Sequence, residues 1–404
     1  MSDLFITNIY IEKLHHLENV EISLSDSKRK HLILTGKNGS GKTIVLEAIK
    51  DILMLKQLQE YQKYPEYSKF QNFLIQHVGY SGTEKQFIKA TNERLKPEVK
   101  VSFSKNIDNL AEMMFAYIPA FRTQFRAPTE ISKVDLEYKT PICLNASQLF
   151  PSFMLQYYIR YLAAKDSGAP TAEIESYAKW FNNLENALRE IFNCPELKLI
   201  PHLKDLLFYI SMPGRPNITL LELADGYRGI LNIFMELILR FDDSEGLVNY
   251  EQPAVVVIDE LAAHLHVELQ RRVLPFLAKM FPNAQFIVST HSPFVMTSLS
   301  NSLVFDLESL KSLENPSFYS INSIVESFLG ASSYSDEMVS YFNRYKELSL
   351  KERTKEEDLE FQDSKAKLDL MSLASSELFN AYQQLSAKIA YKRLKAKFRK
   401  SIIE

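Results

Sequence analysis

The octapeptide Gly36-Lys37-Asn38-Gly39-Ser40-Gly41-Lys42-Thr43 has the residue types and the spacing to hold phosphate. It fits G-x-x-x-x-G-K-[ST], the P-loop pattern. Gly36, Gly39 and Gly41 can take backbone angles that side chains disfavour, so successive N–H groups from Asn38 to Thr43 can turn inward toward phosphate oxygens. The start of the following helix adds partial positive charge. Lys42 is placed to reach β and γ phosphates, and the Thr43 hydroxyl to bind Mg²⁺.

A second set of chemical residues lies far downstream. The run Ala254-Val255-Val256-Val257-Ile258 ends in Asp259-Glu260. Beside a P-loop, Asp259 is expected in the Mg²⁺ shell and Glu260 as the group that takes a proton from an attacking water. Another apolar run, Gln285 to Thr290, ends in His291-Ser292-Pro293. A histidine there can hydrogen-bond a terminal phosphate and sense its loss. A third segment, Leu223-Ala224-Asp225-Gly226-Tyr227-Arg228, opens a helix marked by Ile230, Leu231, Ile233, Phe234, Leu237 and Ile238. A Gly-containing turn at a helix start is a further anion-binding end.

The elements that must position these groups are legible around them. His31–Thr35 is apolar and β-prone, and Ile44–Ile49 continues at helical spacing, which gives the strand–loop–helix context a P-loop needs. Unbroken apolar runs suit central parallel strands covered on both faces. Such strands deliver their terminal residues at the carboxyl edge, where open α/β sheets bind ligands.

In this order, P-loop, L-[SA]-x-G-x-R before a helix, strand with Asp-Glu and a Ser-Thr-His strand end, the chain resembles an ABC-type ATPase. It is most similar to the SMC/RecF/OLD-like branch, on GKNGSGKT followed by Ile-Val-Leu-Glu-Ala-Ile and on the opening strand pair Ile6–Ile11 and Val20–Leu24. Ile258-Asp259-Glu260 followed by His264-Leu265-His266, then Thr290-His291-Ser292-Pro293, resembles stand-alone phage-defence ATPase subunits of the PARIS (AriA) or Septu (PtuA) type. The resemblance covers roughly residues 1–140 and 215–310.

It implies an α/β fold, an ABC-type P-loop ATPase head with a mixed β-sheet, an inserted helical lobe and a helical C-terminal tail. It implies ATP and Mg²⁺ as ligands. It also implies a homo-oligomer, at least a dimer or a larger ring, in which two heads sandwich nucleotide. Ala224, Asp225 and Gly226 of one subunit would then face the γ-phosphate held by Lys42 of the other. Glu260 and His291 would be catalytic, with Thr43 and Asp259 at the metal. Ala224 stands where the family usually has serine. The lost hydroxyl donor weighs against fast hydrolysis more than against ATP-dependent association. The family's Q-loop glutamine has its best candidate region at Ala120-Phe121-Arg122-Thr123-Gln124, with Arg122 or Arg126 as a phosphate or interface arginine or as an ordinary surface residue. His264, His266 and Glu268 fall at the D-loop and are expected at a subunit interface rather than on a metal.

The expected organisation is 1–146 as the P-loop half, 147–199 as an inserted helical lobe broken at Gly168-Ala169-Pro170, 200–333 as the second half of the head, and 334–404 as a charged helical tail without Gly or Pro. The stretch Leu53–Gln76 reads as polar and helical. In the tail, Leu378, Tyr382, Leu385 and Ile389 form one stripe. Its end, Lys388 to Lys400, is basic. That run reads either as a phosphate- or partner-contacting helix or as a solvated face. The lobe is far too short for the long coiled-coil arms of chromosome-organising relatives.

With 404 residues, 46% of them hydrophobic, the chain can bury a large core. A net charge of −3 gives no global attraction to nucleic acid, which stays possible as a local partner. Cys143 and Cys194 read as buried thiols of a reducing cytoplasm. Neither a signal peptide nor a membrane-length apolar stretch is read. After His291 no acidic cluster resembles a nuclease. An effector on another polypeptide is therefore expected, a Toprim-like or HNH nuclease among the candidates, with anti-phage defence as the setting. A RecF-like DNA-binding repair ATPase and a slowly hydrolysing ATP-dependent scaffold are the alternatives.

Overall fold

The computed structural model describes residues 4–61, 99–105, 113–120, 125, 127–128, 147, 150–241, 249–331, 335–351, 353–370 and 382–388. The chain divides into two compact units, Met1–Ile321 and Asn322–Glu404. The first is α/β and contains three sheets.

Its centre is a six-stranded mixed sheet. The strands are β3 (His31–Thr35), β5 (Met114–Ile118), β9 (Ala254–Ile258), β10 (Ala284–Ser289), β11 (Ser302–Asp306) and β12 (Lys311–Glu314), in the order β12-β11-β3-β10-β9-β5. All neighbours pair in parallel except β12, which returns antiparallel to β11 at the edge. Every residue of β3, β9, β10 and β11 is buried, as expected for strands covered on both faces. Parallel pairing has one consequence for the site. The carboxyl ends of β3, β9 and β10 emerge at the same edge, and those ends carry Gly36, Asp259 and Thr290.

A second, antiparallel sheet has the order β2-β1-β4, from β1 (Ile6–Leu14), β2 (Leu17–Ser23) and β4 (Val99–Phe103). The opening strand pair is thus where the residue pattern puts it. The Gln285 carboxamide ties this sheet to the central one. It accepts from the Ile6 N–H (2.7 Å) and donates to the carbonyls of Ile6 (2.9 Å) and Lys30 (2.8 Å). Helix α1 (Lys42–Tyr61) packs between the two sheets, with Val45, Leu46, Ile49 and Leu53 in the shared core. The expected helix Leu53–Gln76 is present as far as Tyr61; the rest lies outside the described residues.

Helices α2 (Phe150–Asp166) and α3 (Thr171–Phe192) flank the break at Gly168 and pack through Phe150, Phe153, Tyr157, Tyr177 and Trp180. The helical pattern does not run on to Leu199. Asn193 takes a left-handed conformation (φ 51°), and the Cys194 N–H returns to the Arg189 carbonyl. Lys198 and Leu199 instead begin β6 (Lys198–His202) of a small sheet with β7 (Leu207–Ser211) and β8 (Ile218–Thr219), order β6-β7-β8. Cys194 is half-buried rather than buried; Cys143 lies outside the described residues. After this sheet, α4 (Asp225–Phe241) is buried along almost its whole length, including an internal Glu236–Arg240 ion pair (2.8 Å). Helix α5 (Val267–Met280) and the short α6 (Pro293–Met296) follow β9 and β10.

The second unit contains α7 (Asp336–Ser349), α8 (Lys355–Leu370) and a helical segment at 382–388. Tyr345, Leu348, Phe361, Leu368 and Tyr382 form its core, with Leu385 against it. Tyr382 and Leu385 thus share a face as the stripe requires. Leu378, Ile389 and the basic run beyond Lys388 lie outside the described residues. Among the described residues, no helix is long and apolar enough to cross a membrane.

One core group makes the first unit's stability depend on pH. His31 Nδ1 accepts the Phe286 N–H (3.0 Å), and burial, with a smaller contribution from Arg29, pushes the imidazole down to about 4. Between pH 6.5 and 4 the unfolded chain takes up a proton that the folded chain refuses, so stability falls as pH falls through that window. The contribution lost is about 3 kcal/mol. His31→Asn keeps an acceptor without titrating. Urea unfolding at pH 7 and pH 4.5 should show a shallower decline for the variant than for the native chain; equal declines would contradict it.

Candidate functional site

The loop between β3 and α1 folds as a cradle. Gly36, Gly39 and Gly41 have φ of 134°, 85° and 95°, which side chains rarely adopt. The loop closes through Ser40 N–H to the Lys37 carbonyl (3.1 Å), and the helix starts with Val45 N–H to the Gly41 carbonyl (2.9 Å). Lys42 is 8% exposed and folds back over the loop, donating from Nζ to the carbonyls of Gly36 (2.8 Å) and Lys37 (3.0 Å). Burial lowers the pKa of its ammonium, while Glu260, Asp259 and Asp306 act in the opposite direction.

The two acids reach the same place from β9. Asp259 Oδ2 accepts the Thr43 hydroxyl (2.9 Å), and Asp259 Oδ1 accepts the Ser289 hydroxyl (2.5 Å). Ser289 Oγ in turn accepts the Glu260 N–H (2.7 Å). One buried hydroxyl therefore sets both acids. Glu260 sits at φ 44°, in the left-handed region. For a side chain of this size that costs on the order of 1–2 kcal/mol. The turn is held by Leu261 N–H to Ser289 O (2.9 Å) and Ala263 N–H to Glu260 O (3.0 Å). His291 Nε2 lies 3.9 Å from Glu260 Oε2, and both side chains keep access to solvent.

The donor set of the cradle has the chemistry to suit a Mg²⁺-bound polyphosphate. Ser40 Oγ is buried and, among the described residues, has no hydrogen-bond partner. A Cβ added at Gly36 would come within 2.6 Å of it, so the position is closed to larger residues. The space beside Gly39, by contrast, is open. The N–H groups from Asn38 to Thr43 with Lys42 could hold phosphate, and Thr43 with Asp259 is an oxygen pair of the kind Mg²⁺ accepts.

The structure thus brings Gly36 to Thr43, Asp259, Glu260 and His291 together. It places Ala224, Asp225 and Gly226 elsewhere. Their turn is braced by Arg228, which donates to Asp225 Oδ1 (2.9 Å) and to the Leu223 carbonyl (2.6 Å). Gly226 faces a groove lined also by Asn193, Tyr227, His264, His266 and Arg272. A Cβ there would lie 3.4 Å from the His264 carbonyl. Of the Q-loop candidates, Phe121 to Gln124 and Arg126 lie outside the described residues.

Three contributors have no role assigned by the motifs. Ser289 is the serine of the Ser-Thr-His strand end, and its bridging of Asp259 and Glu260 is visible only in the structure. His16 comes from the β1–β2 turn, with Nε2 3.2 Å from the Ser40 carbonyl. Glu308, after β11, pairs with Lys37 (2.6 Å), and this bond raises the lysine's pKa and lowers that of the acid. The last two are joined to the loop only by tertiary packing. Ser289→Ala should remove the buried donor to Asp259 and the hydroxyl that accepts the part-buried Glu260 N–H, and lower stability by about 1–3 kcal/mol. Denaturant unfolding without nucleotide measures it, and an unchanged midpoint would remove the hydroxyl from its bridging role.

Comparison with known proteins bears on the family of the chain. The family model described as "AAA domain, putative AbiEii toxin, Type IV TA system" matches residues 63–297. The match begins beyond Thr43, so the phosphate loop stands on its own residues. The Septu protein PtuA of Bacillus mycoides (strain KBAB4) is 23% identical over 390 residues, covering 90% of this chain and 51% of that protein. The Retron Ec83 probable ATPase of Escherichia coli is 29% identical over 102 residues, covering 25% of this chain and 19% of that protein. The chain thus spans about half the length of the first of these relatives and less of the second. The SMC head domain from Thermotoga maritima superposes with a TM-score of 0.35 at 15% identity, covering 74% of this chain and 94% of that one, a likeness too low to bear on function. With more than half of its residues matched, the chain belongs to the family of AAA domains described as putative AbiEii toxin, Type IV TA system.

Proposed function

We propose that the chain binds and hydrolyses ATP at the β3–α1 cradle and uses the nucleotide to assemble with further copies of itself. One observation carries the reading: the Lys42 cradle, the Thr43–Asp259 pair and Glu260 converge from segments far apart in sequence. In this reading the loop N–H groups and Lys42 bind the β and γ phosphates, and Thr43 and Asp259 hold Mg²⁺. When bound, the ion neutralises phosphate charge. Glu260 accepts the proton of the water whose oxygen bonds the γ-phosphorus as the bond to the β–γ bridging oxygen breaks. His291, beside Glu260, hydrogen-bonds the γ-phosphate and registers its departure.

The assembly part is supported by the signature turn. Ala224 to Gly226 opens onto its own groove, where a second copy could present its nucleotide, and the turn then completes the site in trans. Binding across two heads favours the assembled state by the free energy of the shared contact. Without a hydroxyl at Ala224, turnover is slow. The defence setting, with a separate effector such as a Toprim-like or HNH nuclease, is supported by similarity to PtuA and the Retron Ec83 ATPase. The match along 90% of the chain supports the Septu type.

Lys42→Ala should abolish binding of a fluorescent ATP analogue, because the phosphates lose their main cationic partner; unchanged affinity would exclude Lys42 from the site. Glu260→Gln should bind the analogue normally and lose phosphate release by on the order of 100-fold or more, since the amide accepts no proton. It should also accumulate the assembled form, read by light scattering. Native turnover in this variant would refute the assignment of the base.

A further inference from the structure

The two loops that carry Glu260 and His291 leave different strands and have no ladder pairing beyond Ile258 and Ser289. Glu260 N–H to Ser289 Oγ (2.7 Å) and Leu261 N–H to Ser289 O (2.9 Å) tie the start of the Glu260 loop to β10, but Leu265 and His291 lie beyond these bonds, and His291 Nε2 is 3.9 Å from Glu260 Oε2. The Gln270 side chain, on the first turn of α5, spans the gap. Its Nε2 donates to the Leu265 carbonyl (2.7 Å), in the loop that follows Glu260. Its Oε1 accepts the Ser292 hydroxyl (2.6 Å), from the residue next to His291. Ser292 is 8% exposed and is itself fixed. Its N–H bonds Thr290 Oγ1 (3.0 Å), and its Oγ caps α6 by accepting from Val295 N–H (3.3 Å). The neighbouring Arg271 adds a second hold, its guanidinium 4.9 Å from the centre of the Phe294 ring.

The geometry of this carboxamide is specific. It uses one donor and one acceptor in opposite directions, which among side chains of this length only glutamine supplies without a charge. Leucine would fill the space with neither bond. Glutamate would keep the acceptor for Ser292 and lose the donor for Leu265.

We infer that Gln270 is a positioning residue that couples the loop after the base to the histidine loop, so that His291 is held where it can act with Glu260. The inference rests on the ATP-hydrolysis reading of this site. Gln270 acts through the Leu265 carbonyl and the Ser292 hydroxyl, not on the reacting atoms. Its loss therefore acts on kcat and not on the phosphate cradle of Lys42. A misplaced group of this kind costs on the order of 10- to 100-fold in rate.

The test uses the full chain with Gln270→Leu, Gln270→Glu, Ser292→Ala and the double Gln270→Leu/Ser292→Ala. Phosphate release should fall by on the order of 10- to 100-fold in Gln270→Leu, with affinity for the fluorescent ATP analogue within about threefold of native. Gln270→Glu should lie between the two. The double variant should be no slower than Gln270→Leu alone, because both changes break the same bracket. Multiplying effects in the double, or native turnover in Gln270→Leu, would overturn the inference.

A second readout needs no turnover. The His291 imidazole NMR signal of the ligand-free chain, assigned by its loss in His291→Asn, should shift or broaden in Gln270→Leu. A signal left in place would overturn the bracket even if Gln270→Leu were slow. If the native chain released no phosphate, the hydrolysis reading would fail by itself, and the imidazole signal would still decide whether Gln270 places His291. If Gln270→Leu did not fold, Gln270→Glu and Ser292→Ala carry the same two readouts.

Discussion

The hydrogen bond from Thr43 to Asp259, 2.9 Å long and joining residues 216 positions apart, is the contact on which the candidate site depends. It exists because β3, β10 and β9 lie side by side in parallel. The sheet brings the phosphate loop, at the end of β3, within reach of the acids at the end of β9. β10 lies between them and supplies Ser289, whose hydroxyl donates to Asp259 and accepts from Glu260. A one-residue slip of β9 would turn Asp259 to the other face of the sheet and break both bonds. The all-buried character of these strands makes such a slip costly.

The site trades local stability for readiness. Lys42 is buried against carbonyls, its ammonium disfavoured by burial and supported by three acids. Glu260 is held in a backbone region that costs free energy. Ser40 keeps a buried hydroxyl without a partner among the described residues. Each would be a defect in a structural core. Together they are what a preorganised anion site requires: donors already aimed and a base already turned outward. The surrounding core offsets these costs, notably Gln285, which joins the β2-β1-β4 sheet to the central one, and α1, packed between them.

The parts of the site that recur as short local patterns were legible in the sequence. The P-loop, the apolar strand with Asp259-Glu260, the Thr290-His291 strand end and the opening strand pair all lie where residue spacing puts them. What was not legible is carried by tertiary contact. Nothing near His16 or Glu308 marks either as a neighbour of the phosphate loop, and Gln270 reads as one polar helix residue among several. The helical pattern of the lobe also read too far. Asn193 stops α3 in a left-handed turn, and the residues after it join β7 because the cross-strand partner, not local propensity, decides. The order of the central strands is likewise a property of packing and not of any one segment.

The Leu223–Gly226 turn is braced by Arg228 and faces its own groove, and on the proposed reading this separates binding from completion of the site. On the proposed reading one chain carries the cradle, the Thr43–Asp259 oxygens and Glu260, and would bind nucleotide before any second copy arrives. The most direct test is calorimetric titration of the purified chain with ATP, once in Mg²⁺ and once in excess chelator. The account predicts one nucleotide per chain in Mg²⁺ and much weaker binding in chelator, because Thr43 and Asp259 hold the ion that the phosphates share. No binding, or binding of equal strength with and without Mg²⁺, would contradict it.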